Sequence, residues 1–194
     1  ADPSSGGYAL AEQIQALGHK KLGIIHYMPS IDAEGSDNYF VYEVYSRPGK
    51  LLQIFEKYGL DCEDRFHCFG CRNFSSILKT LKRKMKEGNL PTVYWCVNDE
   101  TAHWTIDALT ELGLKVPGDI SVIGYDGVSI TSEENLTTIS LPFYGIGCKA
   151  LNLLLDYYEN GKMEQNSHVE IATSLVIKKT LAYAKKNNYG KDGK

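Results

Sequence analysis

Two polar residues stand where short apolar runs break off: Asn98 after TVYWCV and Asp126 after ISVIGY. In an open parallel sheet, ligands bind beyond the carboxyl ends of the strands, so side chains at such breaks are well placed to meet a bound molecule. A carboxylate and an amide together offer the acceptors and donors that vicinal hydroxyls need, the chemistry of a sugar or related polyol. The same residue types also cap helices and turns by bonding nearby backbone, and spacing alone leaves both readings open.

A second cluster holds Cys62, His67, Cys68 and Cys71, a CxxC with a histidine and a further cysteine nearby. That composition resembles zinc ligation. Neighbouring strand positions point to opposite faces, however, so His67 and Cys68 would not share an ion. The cluster is therefore read as a cysteine-rich strand edge, with no metal. His26, His67 and His103 are scattered, and none stands beside a nucleophile in an elbow or triad motif. His103, between Ala102 and Trp104, reads as a packed helix residue. Neither an enzyme nor a cofactor is expected.

The elements that would carry Asn98 and Asp126 alternate in type. Leu10, Ile14 and Leu17 share a helical face that Gly18 ends, and LGIIHY from Leu22 is a run suited to a buried parallel strand. Residues 28–46 read as a polar loop with a turn at Gly35–Asn38, unusual in holding Tyr39, Phe40, Tyr42 and Tyr45. A helix with Leu51, Leu52, Ile54 and Phe55 ends at Gly59, and a weak strand is expected around Arg65 to Phe69. Residues 75–86 form a helix whose lysines and arginines make a solvated face. After Pro91 come the strand TVYWCV, a helix from Glu100 to Leu112 capped by Asp99, and the strand ISVIGY. The stretch 126–138 reads as a loop, 143–159 as a helix, VEIATSLVIKK as a final strand, and the basic tail as frayed. Strands alternating with helices predict an α/β fold: a doubly wound parallel sheet flanked by helices.

Composition narrows the function. The 194 residues allow one full core, and the net charge of −3 without a basic face argues against nucleic-acid binding by this polypeptide. No apolar run approaches the ~20 residues that span a bilayer. Five cysteines, mostly in apolar settings, fit free thiols in a reducing cytoplasm.

The segment CVNDETAHWTIDALTELGLKVPGDISVIGYDGV, followed by LTTISLP and GIG, resembles the effector-binding domain of the lactose/galactose repressor family of bacterial transcription regulators. GGYALAEQIQALGHKKLGII, SRPGKLLQIFEKYGL and ATSLVIKKT extend the resemblance over nearly the whole chain. It implies a type I periplasmic-binding-protein-like lobe and three ligand contacts: Arg47, Asn98 and Asp126. The planar fork of Arg47 could hold two oxygens at once. The resemblance divides the chain into a leading helix of the N-terminal lobe (1–18), the C-terminal effector lobe (19–142) and a helix that packs on the N-terminal lobe (143–162). The final strand (163–182) and a flexible tail (183–194) complete it. It implies a small-molecule effector, a homodimer, and DNA contact only through a helix-turn-helix not in this chain. A transport-type sugar-binding protein of the same fold is the alternative.

This chain departs from the family pattern at Gly127, where aspartate is usual, at Leu141, where glutamine is common, and at Lys50, where glycine is normal. Those changes imply a ligand other than the familiar sugars. With the other lobe absent, the apolar faces of the leading helix and of the helix with Leu151, Leu153, Leu154 and Leu155 are expected to be exposed.

Overall fold

The computed structural model describes residues 1–27, 47–128, 135–161 and 169–185. The aromatic loop 28–46 lies outside the described residues. Five strands form one sheet in sequence order: β1 (Leu22–Ile25), β2 (Val93–Cys96), β3 (Ser121–Asp126), β4 (Thr137–Ser140) and β5 (Ser174–Val176). The first four are parallel and β5 is antiparallel to β4. Beyond β1, residues 61 to 71 add a rudimentary outer strand through single bridges, Lys21 to Asp61 and Ile25 to Cys68. The expected strand at 65–69 is therefore mostly a 3-10 turn, Asp64–Phe66, with pairing confined to its exit.

Strand alternation sends side chains to two separate cores. Leu22, Ile24, Val93, Trp95, Ile123, Tyr125 and Ile139 face α1 (Ser4–Ala16) and α2 (Arg47–Lys57). Ile25, Tyr94, Cys96 and Val122 face α3 (Phe74–Lys86) and α4 (Asp99–Glu111). Strands β1 and β2 are buried throughout, as a sheet covered on both faces requires.

Four further sequence expectations need correction. The strand Thr137–Ser140 starts inside the stretch 126–138 expected to be loop: three β-branched residues in succession were the signal, though the run is only four long. The leading helix does not leave its face bare. In α1, Leu10, Ala11 and Ile14 are fully buried against this lobe. Gly6 makes that seat possible, because a Cβ there would collide with Ile139 and Thr173, and its N–H donates to Thr173 Oγ1 at 3.0 Å. The tail is anchored as far as it is described. Val122 N–H donates to Thr180 O, Ala182 N–H to Ser121 Oγ, and Ala184 N–H to Leu17 O, while Lys185 pairs with Asp119. The final strand is also shorter than expected, three residues instead of eleven.

The last helix, α5 (Phe143–Asn160), matches its expectation: none of its described side chains is buried, and Tyr144 and Tyr158 are 87% and 88% exposed. Leu151, Leu154 and Leu155 are exposed as well.

Buried histidines lace this frame. His19 Nε2 donates to Ala182 O at 2.9 Å while Nδ1 accepts from Thr92 Oγ1, and His67 Nδ1 accepts from Ile24 N–H at 3.1 Å. Accepting at one ring nitrogen requires the neutral form. Burial lowers the pKa of all three buried rings, to about 4 for His26 and His67. Neutral histidine stabilises the fold fully above the ordinary value of 6.5, and that contribution is lost as pH falls towards 4. Each of these two groups contributes a slope of up to about 1.4 kcal/mol per pH unit. Urea unfolding between pH 7 and pH 5 should show a falling midpoint, with a smaller fall in His67→Gln; a flat profile would refute the assignment.

Candidate functional site

The site assembles where β1, β2 and β3 end. Arg47 is the first residue of α2, and its guanidinium turns back over the sheet edge to lie 4.1 Å above the Tyr125 ring. From there Nη1 donates to Val97 O at 3.2 Å and to Asp126 Oδ1 at 3.3 Å. Arg47 therefore ties the end of β2 to the end of β3. Its side chain is 40% exposed and that of Asp126 25%, so the pair adds at most about 1 kcal/mol to stability. The pair's importance lies in holding two charged groups in fixed positions at the strand ends.

Asp126 has φ 107°, in the left-handed region that non-glycine residues rarely occupy. Its carbonyl accepts from Leu141 N–H at 3.0 Å, which keeps the chain in that conformation against its local preference. Burial raises the carboxyl pKa, opposed by Arg47 and reinforced by the charge of Asp99. The next residue explains one departure from the family pattern. Gly127 has φ 74°, and a Cβ there would strike Ser140, so aspartate does not fit this turn.

Asn98 serves as a helix cap: its side chain accepts from Thr101 N–H at 2.8 Å, opening α4. The sequence reading placed that cap at Asp99, one residue late. The amide nitrogen of Asn98 has no hydrogen-bond partner among the described residues. The capping and ligand-contact readings are thus compatible, since they use different atoms.

Asp99 is a residue whose weight the sequence reading missed. It is 3% exposed and accepts from Thr138 Oγ1 at 2.6 Å and Val128 N–H at 2.7 Å. Burial raises its pKa, while Thr138 and the backbone donors of Val128 and Gly127 oppose that rise. A DE pair at the very start of a helix gave no sign that its first member points into the sheet. Beside Arg47 a pocket of about 260 Å³ is lined by Pro3, Lys50, Tyr125, Leu141 and Ile146. Among the described residues no group of three or more histidines, cysteines or acids could hold a metal. Burial raises the pKa of Cys68 to about 12 and also that of Cys71, so both thiols stay protonated.

Asp99 and Asp126 should separate cleanly on mutation. Asp99→Ala strands one buried hydroxyl and at least one amide, and should cost about 3 kcal/mol in chemical denaturation. Asp126→Ala should cost no more than about 1 kcal/mol. Equal losses would show that the exposed pair is a structural tie after all.

Comparison with known proteins identifies the family and the fold. A family described as periplasmic binding protein-like domain matches residues 11–181. The HTH-type transcriptional repressor PurR of Haemophilus influenzae is 30% identical over 184 residues, covering 91% of this chain and 51% of that protein. The Pasteurella multocida PurR is 29% identical over 180 residues, with 91% and 50% covered. The chain thus spans about half the length of the curated relatives it matches. Among solved structures, a dimeric Lac repressor with an 11-residue C-terminal deletion has TM-score 0.75 at 24% identity, covering 95% of this chain and 63% of that one. A LacI family transcriptional regulator from Enterococcus faecium with bound ribose has TM-score 0.66 at 21% identity, with 95% and 65% covered. These likenesses show the fold, and the family match shows the membership: the chain belongs to the periplasmic binding protein-like domain family, in the form shared with PurR- and LacI-type repressors.

Proposed function

We propose that this chain is the effector-sensing lobe of a bacterial transcription regulator, binding a sugar or related small polar molecule at Arg47, Asn98 and Asp126. The observation that carries this reading is the Arg47–Asp126 pair, held at the carboxyl ends of β2 and β3 beside an open pocket. Ligands of doubly wound sheets bind at that place. Arg47 has donors to spare, since only Nη1 is engaged among the described residues, and Asp126 supplies acceptors for hydroxyls. The site works by binding and not by catalysis. No histidine lines the pocket, and His19, His26 and His67 are buried with pKa values lowered by burial.

The similar proteins named HTH-type repressors favour a regulator over an uptake protein. In this reading a second lobe closes the cleft, two copies pair, and a separate helix-turn-helix contacts DNA in the cytoplasm. No helix of the described residues is long and apolar enough to cross a membrane. The effector acts by binding one arrangement of the two lobes more tightly than another, which alters the spacing of the DNA-binding heads. The bound ribose of the Enterococcus faecium regulator supports a polyol as the class of ligand.

A thermal-shift screen against sugars, sugar phosphates and nucleosides tests the reading. At a hundredfold excess over its Kd, a ligand of the native state adds about 2.7 kcal/mol, a rise of several degrees. The expected result is a hit that Asp126→Ala abolishes. Hits that persist unchanged in Asp126→Ala would place the ligand elsewhere.

A further inference from the structure

The lining of the pocket is specific enough to narrow the ligand class, granted the effector reading above. We propose that the pocket takes a small polyol bearing an anionic oxyacid group, phosphate or carboxylate. Lys50 and Arg47, which line the pocket, receive the anionic group, and Asp126, paired with Arg47 at its margin, the hydroxyls.

Arg47 and Lys50 lie three residues apart on α2, hence on one face of the helix, and both line the pocket. They occupy the first turn of α2, which contains no acidic residue. Two cations at a helix N-terminus are unfavourable towards the helix dipole and towards each other, so the helix carries an electrostatic deficit that an anion relieves. Asp126 balances Arg47 only partly: it engages Nη1 alone, and the other guanidinium donors have no partner among the described residues. Lys50 makes no ion pair within 4.0 Å among the described residues.

Asp2 is the remaining acid nearby. It feels the charge of Lys50, but the backbone N–H of Ser4 is what chiefly holds its pKa down, through a 3.0 Å bond at the start of α1. Asp2 is therefore committed to the helix and leaves the ammonium of Lys50 available. Of the other lining residues, Pro3, Leu141 and Ile146 present apolar side chains. Leu141 stands where the family pattern has an amide, and Tyr125 already has its face covered by Arg47. Such a wall offers little to a ligand hydroxylated on every side. It suits one whose polar groups gather at two points, a charged end towards Lys50 and hydroxyls towards Asp126.

The test is an amide-detected NMR titration of the 194-residue chain at pH 7.5 and low salt, a method that reads millimolar binding. The probes are ribose, ribose 5-phosphate, ribonate and inorganic phosphate. At least one of the two anionic sugars should bind roughly tenfold more tightly than ribose, the size of one charge-assisted hydrogen bond. That advantage should shrink in 0.3 M salt by screening. It should disappear in Lys50→Gln and survive in Lys50→Arg, and the comparison of ribose 5-phosphate with ribonate identifies the anionic group. Equal affinity of ribose and both anions, or an advantage that survives in Lys50→Gln, overturns the proposal while Asp126-dependent ribose binding leaves the effector reading intact. Inorganic phosphate binding as tightly as ribose 5-phosphate, and unaffected by Asp126→Ala, overturns both. So does the absence of any shift at Arg47, Tyr125 or Leu141.

Discussion

A single buried carboxylate organises the upper rim of this sheet. Asp99 opens α4, where the dipole of the helix favours negative charge, and from there it reaches across to Thr138 on β4 and to Val128 beyond β3. One side chain thereby sets the distance between a helix, a strand and the turn between two strands. The turn that follows Asp126 and the strand that leads to Leu141 take their positions from that tie. Asp126 lies two residues before Val128, and Thr138 lies three before Leu141. If Asp99 loosened its hold, the turn at Gly127 would lose its floor, and the bond from Leu141 N–H alone would hold the left-handed backbone at Asp126.

The division between structure and function follows from exposure. Asp99 is buried and hydrogen-bonded, so its contribution to stability is large. Arg47 and Asp126 are half exposed, so their mutual attraction is diluted by solvent and contributes little to the fold. Arg47 nonetheless has its orientation set three times over, by Val97 O, by Asp126 and by the Tyr125 ring. Such prior orientation reduces the ordering cost that binding must offset. The rim is therefore rigid where it is dry and prepared where it is wet.

The sequence revealed the sheet more fully than the rim. Long apolar runs such as TVYWCV and ISVIGY announced themselves, as did the helices between them, because burial on both faces demands continuous apolar character. Short elements were harder. Thr137–Ser140 hid inside a loop reading because four residues make a weak pattern, and the outer pairing at Cys68 rests on single bridges. The placement of α1 was misread for another reason: an apolar helical face states that something covers it, not which lobe does so. Asn98 and Asp126 were legible from their positions at strand ends, and Arg47 only through resemblance. The role of Asp99 was not legible, since its partners at 128 and 138 are distant in sequence and become neighbours only through the crossover.

The anchored segment from Thr180 to Lys185 runs beneath the sheet, bonding to Leu17, His19, Ser121 and Val122 at the pole opposite the pocket. In mechanical terms it is a lace across the base. Tension applied at residue 185 meets the salt bridge at Asp119 and then a series of single hydrogen bonds, which open one after another instead of sharing the load. The strand ends that hold Arg47 and Asp126 lie at the far side of the sheet from this path. A pull on the lower end of this lobe is therefore spent in peeling the lace, and the geometry of the rim is insulated from it.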